Sequence, residues 1–139
     1  MPALRMARMR RIASRIFLTA LFAIALGIAT TRSDTKTITL DLFMVDYKFI
    51  PIHLTFHEGM HYRLHMENHG KETHEVTAPT FFASTKIDNP DVLNREHTEI
   101  VMQPGDVKDL LFTAPKAGTY DLRCSDHDWN GMVGGITVE

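Results

Sequence analysis

Apolar and polar side chains alternate with a period of two through most of the chain beyond residue 36. Ile38, Leu40 and Leu42 interleave with Thr37, Thr39 and Asp41. The same rhythm returns at Ile52, Leu54 and Phe56, at Tyr62, Leu64 and Met66, at Leu110 and Phe112, at Tyr120 and Leu122, and at Ile136 and Val138. Such spacing puts each apolar set on one face of an extended strand. Turn formers separate the runs: Glu58-Gly59, Asn68-His69-Gly70, Gln103-Pro104-Gly105-Asp106 and Ala114-Pro115-Lys116-Ala117-Gly118. Two more strand-like stretches lie at 73–77 and 96–102. Seven or eight short strands so punctuated predict an all-β fold, an antiparallel β-sandwich. One interval breaks the rhythm. Between Ala78 and Arg95 the chain makes a long connection, in which Phe81-Phe82 is expected to pack inward and Pro90 argues against a long helix.

The first 29 residues follow a different pattern. Arg5, Arg8, Arg10, Arg11 and Arg15 form a basic start, and Ile16 to Ala29 is an uncharged, mostly apolar run of fourteen residues. A membrane-spanning helix needs roughly 20 residues. The run therefore predicts a cleaved export signal, with Gly27 and Ala29 as the small residues before the cut. The expected organisation is a leader over 1–29 and one domain over 30–139, enough chain for a single core. Losing the leader removes five Arg and leaves ten basic against seventeen acidic side chains, a net charge of −7. An acidic domain disfavours nucleic acid and anionic membrane, and it favours a basic partner.

Candidate chemistry concentrates in one loop, Cys124-Ser125-Asp126-His127-Asp128-Trp129-Asn130-Gly131-Met132, which holds the only cysteine. A thiolate, an imidazole and a thioether so close together suit a soft or borderline metal, copper above all. His74, in the stretch Thr73-His74-Glu75-Val76-Thr77, offers a second imidazole from a separate strand. His74, Cys124, His127 and Met132 then form a trigonal His₂Cys set with a weak axial Met, which suits copper and one-electron chemistry. Zinc competes for such donors, but its structural sites use Cys₄ to Cys₂His₂ sets, and this chain has one Cys. A Cys124–His127 nucleophile also competes. It would need an orienting group and an oxyanion hole, and Asp126 and Asp128 beside the pair would raise the thiol pKa.

The Cys-x₂-His-x₄-Met spacing, with the Pro-x-x-Gly-x-Tyr-x-x-x-Cys lead-in of Pro115, Gly118, Tyr120 and Cys124, resembles the cupredoxin family. The plastocyanin and pseudoazurin type is the nearest match, and the resemblance covers about residues 36–139. It implies a Greek-key β-sandwich and one type 1 copper ion held by His74, Cys124, His127 and Met132. It further implies a monomeric, periplasmic one-electron carrier rather than an enzyme, serving a redox partner with a basic docking surface. His127 would be the electron exit, and Trp129 would either mark the docking patch or simply cap the loop. Two positions depart from the family pattern. Glu75 stands where plastocyanin-like proteins commonly have an Asn that braces the cysteine loop, so that brace is not assured and the potential is expected to differ. Asp126 stands where plastocyanins often have Pro.

One further pattern leaves a second function open. His53, His57, His61, His65 and His69 recur every fourth residue, but the apolar positions around them are all even-numbered and Gly59 interrupts the run. Two strands joined at Glu58-Gly59 fit better than a helix. Outward His53, His61 and His65 then form a polar, solvated sheet face, or cross-pair and hold a second metal ion. In that case the protein would handle copper, or confer copper tolerance, with Met60 and Met66 as accessory ligands. A multicopper enzyme is disfavoured because it would need further His-x-His pairs over a longer chain.

Overall fold

The computed structural model describes residues 36–139, and the expected leader lies outside the described residues. Two five-stranded sheets face each other across one core. The first runs in the order β2 (Lys48–Ile50), β1 (Thr37–Val45), β4 (His61–Asn68), β8 (Val107–Thr113), β6 (Lys86–Ile87). The second runs β3 (His53–Phe56), β10 (Val133–Val138), β9 (Gly118–Arg123), β5 (His74–Thr77), β7 (Glu99–Met102). The expected all-β sandwich is therefore present, with ten strands where seven or eight were anticipated. The additional strands are β2 and β6, of three and two residues, too short to show a period. Most pairings are antiparallel, but β1 runs parallel to β4 and β3 parallel to β10.

Alternation becomes burial strand by strand. In β4, Tyr62, Leu64, Met66 and Asn68 are buried while the residues between them are partly exposed. β5, flanked by β7 and β9, is buried at all four positions. The far end of the core is aromatic. Phe56 stands 4.8 Å from Tyr62, 5.1 Å from Phe112 and 5.7 Å from Phe81, centroid to centroid. Phe81 comes from a short helix, α1 (Pro79–Ser84), which opens the long connection and buries both its phenylalanines. Pro79 starts it, and Ser84 and Thr85 end it by turning their hydroxyls back to the carbonyls of Thr80 and Phe81. Pro90 then begins a single 3₁₀ turn rather than a helix.

The histidines of the ladder do not come together on one sheet. A turn does lie at Glu58-Gly59, with Gly59 at φ +74°, but it crosses between sheets instead of closing a hairpin. β3 pairs with β10 and β4 with β1 and β8, so His53 cannot cross-pair with His61 or His65. A two-residue period fixes which face a side chain takes but not which sheet the next strand joins. His65 is instead held by Asp109 at 2.6 Å and Glu67 at 3.1 Å, and Glu67 also binds His69 at 2.6 Å.

Candidate metal centre

His74 opens β5, Cys124 follows the last residue of β9, and Met132 precedes the first residue of β10. The loop between the last two is closed by its own backbone. Cys124 N–H donates to Met132 O at 3.0 Å, His127 N–H to Cys124 O at 3.2 Å, and Met132 N–H to His127 O at 3.2 Å. Gly131 makes the return possible at φ +85°, where a side chain would be strained. Trp129 helps to fasten the loop, since its indole N–H donates to Asp126 O at 2.8 Å.

This framework brings three donor atoms together. The two Nδ1 atoms of His74 and His127 lie 3.3 Å apart, and Cys124 Sγ is 3.9 Å from the first and 3.4 Å from the second. Among the described residues this is the group that gathers three such donors. A point equidistant from all three lies about 2.1 Å from each, within the roughly 2.0–2.3 Å of metal–nitrogen and metal–sulfur bonds. His74, Cys124 and Met132 are fully buried. The cofactor that two imidazoles, one thiolate and a buried thioether fit is a single copper ion.

Several neighbours were not foreseen as part of the site. Glu75 sits 5 % exposed, and its Oε2 accepts from the Cys124 thiol at 3.0 Å and from Asp126 N–H at 3.4 Å. Glu75 N–H also donates to Cys124 Sγ at 3.4 Å. The cysteine loop is thus braced after all, by a carboxyl group from the neighbouring strand. Burial first, and then the bond to Glu75, pushes the thiol pKa up to about 11. The direction is the one expected, but Asp126 is not its cause: its backbone N–H acts the other way.

The outward edges of both imidazoles are also engaged. His74 Nε2 lies 3.2 Å from Asp46 Oδ1, and His127 Nε2 lies 3.2 Å from Glu72 Oε2. The Tyr47 ring stands 4.9 Å from that of His127, centroid to centroid, and its hydroxyl reaches Glu72 at 3.4 Å. His127, the expected electron exit, is 12 % exposed at its side chain. Trp129 is 75 % exposed and walls a cleft of about 410 Å³ with Asp121, Arg123, Asp128 and Val133.

A family model described as a cupredoxin-like domain matches residues 16–138. The chain is a cupredoxin. Solved structures of similar fold include auracyanin B, at 18 % identity and TM-score 0.56, covering 76 % of this chain and 90 % of that one. Auracyanin A, described as a blue copper protein from Chloroflexus aurantiacus, matches at 17 % identity and TM-score 0.54, covering 75 % and 100 %. A multi-copper oxidase from Pseudomonas thermotolerans matches at 17 % identity and TM-score 0.57, over 76 % of this cupredoxin and 30 % of the oxidase. Among curated proteins none matches the sequence. At these identities the likenesses speak for the fold.

Proposed function

We propose that this cupredoxin is an exported one-electron carrier whose copper ligands are His74, Cys124, His127 and Met132. The observation that carries the reading is the convergence of both Nδ1 atoms on Cys124 Sγ within 4 Å, beside a fully buried Met132. A copper ion held there would take up and release one electron. The chain's contribution is a site that need not rearrange: the loop is closed by backbone bonds, Glu75 braces it, and carboxylates fix the imidazoles from behind. Asp46, Glu72, Asp126 and Asp128 gather near the site end, a charge distribution that suits a basic redox partner. The exposed indole of Trp129, already tied to the loop, offers an aromatic anchor for it.

Export rests on the sequence of residues 1–29, with residues 30–139 as the mature domain. No helix among the described residues is long and apolar enough to cross a membrane. Copper handling is the second reading. Against it, the histidine that would head an accessory site, His65, is already bonded to Asp109 and Glu67.

The test is spectroscopic. The Cu(II) form should show an intense visible Cys-to-copper charge-transfer band, which Cys124→Ser abolishes. Met132→Leu should keep the band and raise the potential, because only a weak axial bond is lost. A colourless Cu(II) form of the wild-type protein refutes the assignment.

A further inference from the structure

Both imidazoles of the metal centre are gripped from behind by carboxylates that reach them from distant parts of the chain. Asp46 directly follows β1, and Glu72 lies in the connection between β4 and β5. We propose that these two act as paired positioning residues for the copper site, fixing both imidazole tautomers and favouring Cu(II) over Cu(I). The proposal rests on the copper-carrier reading and adds what sets the potential of that site.

A carboxylate oxygen can only accept, so each Nε2 facing one carries the proton. In a neutral ring, the form that binds a metal, the lone pair then falls on Nδ1, the atom that faces Cys124 Sγ in both residues. A carboxylate behind a ligating histidine also raises the basicity of the ring, and such partners are worth 10–100-fold in metal affinity. Negative charge close behind two ligands stabilises the more highly charged metal ion by Coulomb attraction.

The pair is built rather than incidental. Lys71 N–H donates to both oxygens of Asp46, at 3.0 and 3.3 Å. Asn68, itself buried, anchors the same loop: its Nδ2 donates to Glu72 O and Met102 O, each at 2.8 Å, and its Oδ1 accepts from Gly70 N–H at 2.9 Å. Gly70 lies so close to the first pair that a Cβ there would collide with Asp46 Oδ1 and come within 2.9 Å of His74 Nε2. One short loop therefore carries Glu72 to His127 and holds Asp46 against His74. Ordinary surface ion pairs have no such scaffold and contribute little.

The experiment compares Asp46→Asn, Glu72→Gln and the double variant with Asp91→Asn, an exposed carboxylate in the 3₁₀ turn of the long connection. Affinities for Cu(II) and Cu(I) and the reduction potential are measured at one pH and ionic strength. Each site variant should lose about tenfold more affinity for Cu(II) than for Cu(I), which raises the potential by about 59 mV for this one-electron couple. The double variant should lose roughly a hundredfold if the two carboxylates act independently. In the metal-free wild-type protein, at a pH where both rings are neutral, ¹⁵N NMR of the imidazoles should place the proton on Nε2 of both His74 and His127. A shift no larger than that of Asp91→Asn, equal losses in both oxidation states, or a proton on Nδ1 of either ring overturns the proposal. A colourless wild-type Cu(II) form would sink the copper reading alone, since the tautomers of the metal-free chain still decide the role of the carboxylates.

Discussion

Replacing Asn68 with Ala should cost the domain about 2–3 kcal/mol, and the figure follows from its bonds. The side chain is 1 % exposed, at the inward end of β4, and makes three hydrogen bonds to backbone groups of two segments. A neutral hydrogen bond nets about 1 kcal/mol, and a buried group left without a partner costs about 1–3 kcal/mol. All three partners lose a bond: Gly70 N–H and Glu72 O are half-buried and can turn to water, whereas Met102 O is buried, opposite His74 in the β5–β7 register, and cannot. In a domain of about 100 residues this corresponds to a fall in Tm of roughly 10–20 °C. Asn68→Asp keeps the shape but sets a carboxylate oxygen against two carbonyls, so it should do at least as much damage near neutral pH. Urea titration of the metal-free chain measures both, provided the m-value is unchanged. A loss below about 1 kcal/mol for Ala, or wild-type stability for Asp, would refute the account of this loop.

Two other perturbations test the core and the outer face. Phe56→Ala removes the ring that touches Tyr62, Phe81 and Phe112 and should cost about 3–5 kcal/mol in the same titration while leaving the visible band of the folded copper form in place; a loss under about 2 kcal/mol would mean the cluster collapses to fill the gap. His65 is raised above the ordinary imidazole value by its bond to Asp109, against some burial and Arg63. Its charged form therefore stabilises the fold below about pH 6.5, and that contribution disappears as pH rises through the raised value. Glu67 is lowered, chiefly by His69, and burial pushes Asp109 up but Arg63 and His65 together hold it below the usual carboxylate range, so their contributions are present above about pH 4 and vanish in acid. His65→Gln should accordingly destabilise at pH 5.5 and much less at pH 8.5; a stability gap that is the same at both refutes the assignment.

What could be read from the chain alone depended on how local the signal was. The strands of six residues or more, β1, β4, β8, β9 and β10, announce themselves through alternation, and the Cys-x₂-His-x₄-Met loop carries its spacing on its face. β2 and β6 are held by their neighbours and have no period to detect. The histidine ladder misled because His53 and His61 are close in sequence but lie on opposite sheets. Asp46 reaches His74 across 28 residues, and Glu72 reaches His127 across 55. No window along the chain contains both partners of either bond. Glu75 marked itself only as a departure from a familiar pattern. That it does the bracing of the residue it replaces is visible once Asp126 N–H and Cys124 Sγ are seen beside the same oxygen.

The close approach at Gly70 has a bearing on inheritance as well as on chemistry. The space that any side chain would occupy there is already taken by Asp46 Oδ1, His74 Nε2 and Asn68 Oδ1. Positions 46, 68, 70 and 74 therefore cannot drift separately. A descendant that gains a side chain at 70 must shift the carboxylate at 46 and the histidine it holds, and one that loses Asp46 still meets His74 Nε2 at 2.9 Å and Asn68 Oδ1 at 3.1 Å. Alignments of relatives should record this as linked change, with glycine at 70 wherever an acid stands at 46. Such a pairing would mark the subset of cupredoxins that hold the strand histidine in this way.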